Sequence, residues 1–216
     1  MRKHDRYFLR VTKGNCKEIT SYIADNGLFE VTAPNNSTDA DITKYLRNIK
    51  PEQYNEILDK QKKYKEKFRK NASLLINKYK EEFNLPKSFG IRLRLQIKTK
   101  KICDCNVERH GIDFEAHLEL IAILIYSPAD LVEKIIKAMV YSIACEYENL
   151  WAQIDGLSAG IMNFPDPEII AESHSKIPEE DKYKVTLNEN EISKIETEYK
   201  TASEQFSKIN DIGVFG

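Results

Sequence analysis

From residue 89 onward, apolar and polar side chains alternate one for one: Phe89, Ile91, Leu93, Leu95 and Ile97 against Gly90, Arg92, Arg94, Gln96 and Lys98. A period of two belongs to an extended chain with one buried face, so this is a strand with an apolar side and a cationic side. A poorer strand follows over residues 102–107. Alternation then returns from Gly111, with Ile112, Phe114, Ala116, Leu118 and Leu120 opposite Asp113, Glu115, His117 and Glu119. Residues 121–125 are apolar on both faces, as in a strand central to a sheet. Residues 89–126 thus predict a small antiparallel β-meander. In it the cationic row of 92–98 and the acidic row of 113–119 share one side and form cross-strand ion pairs.

Helical spacing brackets this region. Pro51 suits a first helical position, and no glycine or further proline follows until Asn84-Leu85-Pro86, which predicts one helix over residues 51–83, about 50 Å long at 1.5 Å per residue. Its apolar stripe is narrow and partly polar: Tyr54, Ile57 or Leu58, Gln61, Tyr64, Phe68, Ala72, Leu75 and Tyr79. Ser127-Pro128-Ala129-Asp130 starts a second helix, over 128–155, whose wide apolar face (Leu131, Val132, Ile135, Ile136, Met139, Ile143, Tyr147, Leu150, Trp151, Ile154) makes it the centre of the core. Residues 157–187, with Gly160, Pro165, Pro167 and Pro178, read as an irregular connection. A last helix over about 189–209 carries Ile192, Ile195, Tyr199, Ala202, Phe206 and Ile209 at intervals of three and four. Such a seam wants a single helical partner, in the same chain or in another.

The N-terminal pattern is a short strand, Tyr7-Phe8-Leu9-Arg10-Val11, then a helix over residues 16–25 with Ile19, Tyr22 and Ile23 on one face, closed by Asn26-Gly27, then a strand over 28–32. The expected class is therefore α+β: a β-α-β unit at 1–34, a helix-sheet-helix core at 37–156, the connection at 157–187 and a C-terminal helix and tail at 188–216.

Charge changes this picture more than composition does. Net charge is −1, yet residues 1–101 hold 24 Lys/Arg against 12 Asp/Glu, and residues 102–216 hold 9 against 22. The halves attract each other within one fold, attract in trans between copies, or leave the basic half to an acidic partner such as nucleic acid. Four cysteines, unevenly spread over 216 residues, do not make a disulfide framework. With a charged start, no apolar leader and no apolar run near the roughly 20 residues a membrane helix needs, the expectation is a cytoplasmic protein without membrane contact.

Three groups of residues carry candidate chemistry. Lys60, Lys62, Lys63, Lys67, Arg69 and Lys70, interleaved with Tyr64 and Phe68, suit phosphates and base stacking; the plainer reading is a solvated helix face. Cys103, Cys105, His110 and His117 supply soft ligands for a structural zinc; the plainer reading is half-buried thiols and satisfied imidazoles, with no cofactor. Ile192, Ile195, Tyr199, Phe206 and Ile209 offer a protein interface. A strand, a Ser-Pro turn and a long helix also occur in zinc-peptidase cores, but residues 140–148 hold no histidine, so the layout gives no support to HExxH chemistry. No glycine-rich phosphate loop, GxSxG or Ser/His/Asp set appears. The sequence thus points to a non-enzymatic interaction or assembly protein, of phage, viral or mobile-element type, with a protein partner or a homo-oligomer. Nucleic-acid binding through residues 60–70 is the alternative, and zinc binding a lesser one.

Overall fold

The computed structural model describes residues 6–97, 100–110, 113–158, 187, 189–209 and 211–215, with side chains for all of these but 109, 110, 113 and 151–158. The expected irregular connection at 157–187 lies, apart from its two ends, outside the described residues. The class is α+β: a four-stranded and a three-stranded sheet with helices. The chain divides into two units, and the division falls within the long helix Pro51–Glu82. Unit 1 comprises Met1–Lys70, Ile125–Ser127 and Ser207–Gly216; unit 2 comprises Asn71–Leu124 and Pro128–Phe206.

Unit 1 contains the sheet β2-β3-β1-β7, built from β1 (Tyr7–Gly14), β2 (Thr20–Ile23), β3 (Phe29–Pro34) and β7 (Ile212–Phe215). β1 runs parallel to β3, and the two outer pairings are antiparallel. The expected β-α-β start is therefore corrected: residues 16–25 contribute strand β2, not a helix. Ile19 and Ile23, four apart, fit either period, and only Tyr22 spoke for the helical one. The β-prone run Thr20-Ser21-Tyr22-Ile23 finds β3 as a partner, and Asn26-Gly27 turns a hairpin where it was expected to cap a helix. Tyr22, expected on a packing face, is 57% exposed.

Helix α1 (Asp39–Arg47) begins with a reciprocal cap. The Thr38 hydroxyl accepts from the Asp41 N–H, and the Asp41 carboxylate accepts from the Thr38 N–H and from the Thr38 hydroxyl at 2.7 Å; the hydroxyl bond first, and then the backbone bond, holds the Asp41 carboxyl below its ordinary range. Ile42 and Leu46 of α1 join Tyr7, Leu9, Phe29, Val31, Ala33 and Ile57 in the core of this unit. Ile57 belongs to helix α2 (Pro51–Glu82), whose limits match the sequence reading. α2 stops where Asn84 takes φ 57°, with the Leu85 N–H donating to the Lys80 carbonyl and the Asn84 N–H to that of Glu81, a left-handed cap that asparagine tolerates.

Unit 2 holds β4 (Gly90–Gln96), β5 (Cys103–His110) and β6 (Asp113–Ile121) in the order β4-β6-β5. The antiparallel meander is corrected as well: only β5 and β6 pair antiparallel, while β4 lies parallel to β6 on its other side. The most apolar strand takes the centre, with Ala116, Leu118 and Leu120 fully buried, and the polar β5 takes an edge. This order sets the arginines of β4 beside the acids of β6, so the expected cross-strand ion pairs form, Arg92 with Glu115 and Arg94 with Glu119 at 3.7 Å. Residues Ala122–Tyr126, expected as the second half of the central strand, coil instead into a 3-10 turn that still buries Ala122, Ile123, Leu124 and Ile125. Burial on all sides is common to a central strand and a buried helical turn, so apolarity alone could not separate them.

Helix α3 (Ala129–Ser158) packs on β5 and β6, with Ile135, Ile136 and Ile143 inaccessible to solvent and the Tyr147 ring between Phe89 (4.8 Å) and Phe114 (5.0 Å). Helix α4 (Glu189–Ile209) has the expected limits. No helix among the described residues is long and apolar enough to cross a membrane.

Candidate functional site

Within unit 1 the first half of α2 is fastened to the sheet by one buried side chain. Gln61, 7% exposed, accepts from the Phe8 N–H at 2.9 Å and donates through Nε2 to the carbonyls of Phe8 (2.7 Å) and Gly27 (3.0 Å). The amide copies the donor-acceptor pair of a neighbouring strand, so three backbone groups at the helix–sheet junction are satisfied at once. Gly27, at φ +82°, lies so close to α2 that a Cβ there would meet the Gln61 nitrogen and the Lys60 carbonyl carbon at 2.9 Å. The hairpin turn after β2 is thereby pressed against the backbone of α2 at residues 60–61.

This contact makes a groove. Asp25 and Asn26 of the turn form one wall; Lys60, Lys63, Tyr64 and Lys67 of α2 form the other, enclosing an open cavity of about 450 Å³. The Asn26 carboxamide oxygen accepts from the Leu28 N–H at 3.0 Å and so holds the turn. Turning 100° per residue, Lys60, Lys63, Lys67 and Lys70 fall within an arc of about 80° and rise about 15 Å along the axis. Lys60 is paired with Glu56 at 3.0 Å. Among the described residues, Lys62, Lys63, Lys67 and Lys70 form no ion pair. Lys65, half-buried behind this row, has its ammonium pushed below the ordinary lysine value by burial and by Arg69. Tyr64 lines the groove and stacks on Tyr126, with ring centroids 5.7 Å apart and planes 13° from parallel; Phe8 meets the edge of Tyr126 at 5.7 Å.

The charge rows thus have different fates. In the sheet of unit 2 the arginines are bonded to glutamates, so that row is compensated internally. In the row on α2 Lys60 is paired with Glu56, but among the described residues Lys63, Lys67 and Lys70 form no ion pair. Unit 1 carries 17 Lys/Arg against 11 Asp/Glu, and unit 2 carries 16 against 23.

Of the proposed zinc ligands, Cys103 and Cys105 share one face of the sheet and His117 lies on the other. Cys103 and Cys105 stand opposite Leu120 and Leu118 in the register, and His117 stands opposite Asn106, so cysteines and histidine belong to alternate positions and to opposite faces of the sheet. The His110 side chain is outside the described residues, among which no group of three or more His, Cys, Asp or Glu converges. His117 is 4% exposed, with Nε2 3.5 Å from Glu108. On the other face the Cys103 sulfur lies 3.3 Å from the Tyr199 hydroxyl. Burial, then the charge of Glu146, pushes the Cys105 thiol up to about 11; burial also raises Cys103 and Tyr199, and it lifts Tyr79 to about 12. These groups stay protonated when folded and ionise at lower pH when unfolded. The unfolded chain therefore loses protons first, and stability, unaffected below about pH 8, falls as pH rises from 9 through 11. Thermal melts across that range should show the midpoint dropping, less steeply for Cys105→Ala; a flat profile would mean that Cys105 is not held from solvent.

Of the apolar row on α4, Ile195 (5% exposed), Ala202 and Phe206 are buried within the chain, Ile192 and Tyr199 are half-buried, and Ile209 is exposed at 43%.

Asp25, Asn26 and Tyr126 escaped the sequence reading as members of this site. Asn26-Gly27 was legible as a turn, but which helix it abuts is a long-range fact. Comparison with protein-family models, with curated proteins and with solved structures finds no match.

Proposed function

We propose that this chain is a nucleic-acid-binding protein whose contact surface is the basic face of α2. The observation that carries this reading is the contrast between two cationic rows: Arg92 and Arg94 have carboxylate partners, whereas in the row on α2 Lys63, Lys67 and Lys70 form no ion pair among the described residues. Placing like charges side by side on a rigid helix is unfavourable in the free protein, and counter-anions relieve it. Lysines about 4.5–6 Å apart along a helix offer that relief to consecutive phosphates. The test is fluorescence anisotropy of labelled DNA and RNA at about 50 mM salt, with the wild type and with Lys62→Glu/Lys63→Glu/Lys67→Glu. Expected is binding that the triple variant weakens by at least roughly tenfold, since each phosphate contact adds to the electrostatic attraction. Absence of binding, or equal binding by the variant, would end the proposal.

A second reading, self-association, is favoured by one observation, the opposite charge balance of the two units. It rests on charge more than on the α4 row, because Ile195, Ala202 and Phe206 are already covered. Light scattering should then give a mass above the monomer at low salt that returns to the monomer at high salt, where exposed charges are screened.

A further inference from the structure

We infer that the ligand of the α2 groove is a single strand of nucleic acid, one base of which stacks on Tyr64; the inference rests on the nucleic-acid reading above and narrows it. Two features of the groove select the strand over the duplex. The first is steric. A helix reads a duplex by lying in a major groove about 12 Å wide, which requires both flanks of the helix to be clear. Here the turn at 25–27 stands against α2, close enough that a Cβ on Gly27 would touch the helix backbone at residues 60–61. A duplex cannot straddle the row of lysines at that end, whereas a single strand can run along it. The second is chemical. Tyr64 lines the groove between Lys60 and Lys67, and its ring is backed by Tyr126, stacked at 5.7 Å and 13°, itself braced by Phe8. A ring fixed in orientation is a platform for an unpaired base, and bases in a duplex are not available to it. Lysines above and below the ring then hold the phosphates on either side of the stacked base.

Among the described residues Asp25 is the one acid lining this groove. It faces the row of lysines across the cavity, so a phosphate is directed towards the α2 wall and away from the turn.

The experiment compares three probes of equal length and label on the wild-type protein at fixed salt: an oligothymidylate, a duplex, and a deoxyribose-phosphate strand lacking bases. The same probes are then applied to Tyr64→Phe, Tyr64→Leu and Lys63→Glu/Lys67→Glu. The inference predicts that the oligothymidylate binds tightest and the base-free strand roughly 5- to 100-fold more weakly, the value of one stacked base. Tyr64→Phe should keep the affinity, Tyr64→Leu should bring the oligothymidylate down to the base-free level, and the double lysine variant should weaken all three probes. The wild-type comparison needs no variant and so stands even if Tyr64→Leu does not fold. Equal binding of duplex and single strand, or of strands with and without bases, overturns the stacking inference while leaving the charge reading intact, provided the lysine variant still loses affinity. Failure of all three probes to bind overturns both.

Discussion

Gln61→Leu should lower the stability of the protein by about 3–5 kcal/mol, the sum of leaving the Phe8 N–H, the Phe8 carbonyl and the Gly27 carbonyl buried without partners. Leucine is close in size, so the loss is one of hydrogen bonding more than of packing. Gln61→Glu retains the acceptor for the Phe8 N–H but sets a carboxylate against two carbonyl oxygens, and it should be no better. Urea unfolding measures both. A loss for Gln61→Leu below about 1 kcal/mol, the net worth of one ordinary hydrogen bond, would mean that water replaces the side chain and that the amide does not lock α2 to the sheet.

The second large effect is expected at Gly27. Gly27→Ala should destabilise by about 3 kcal/mol or more, because two penalties coincide: a left-handed backbone for a residue with a Cβ, and an atom placed 2.9 Å from the backbone of α2. Gly27→Asn separates them. Asparagine tolerates positive φ, so if backbone strain alone mattered, Asn would rescue; the contact with Lys60 and Gln61 predicts that it does not. Circular dichroism melts of the two variants decide between these causes. Any folded fraction of either variant should also bind nucleic acid more weakly, since the turn that walls the groove has been displaced.

How far the sequence reached depended on whether a feature was local. The limits of α2 were legible because Pro51 and Asn84-Leu85-Pro86 act within a turn of the helix ends. β4 and β6 were legible because alternation between a core and a polar face is written residue by residue, but Arg92 and Arg94 reach Glu115 and Glu119 because the order β4-β6-β5 makes the two strands neighbours, where a meander would set β5 between them. Strand order was not legible: a chain that alternates cannot say whether its neighbour is β5 or β6, and the answer came from the greater apolarity of β6, weighed across the whole sheet. Residues 16–25 misled because Ile19 and Ile23 satisfy both periods while Tyr22 fits only the helical one, and the partner that decided, β3, comes after the turn. For the site, the lysines of α2 and Tyr64 were visible in the sequence. Gln61 was visible only as an unexplained polar member of a packing stripe. The use of that amide, on Phe8 and Gly27, lies 53 and 34 residues away, and with it the wall of the groove formed by Asp25 and Asn26.

The central claim is that the row of lysines on α2 binds phosphates, and the slope of log affinity against log salt measures it most directly. For a short single-stranded oligonucleotide titrated between about 50 and 200 mM salt, three or four phosphate contacts give a slope of about −2 to −3. Lys63→Gln/Lys67→Gln, which removes two charges without adding repulsion, should flatten it by roughly 1 to 2. A slope that this variant leaves unchanged would contradict the account, because the ions released on binding would then come from some other surface of the protein.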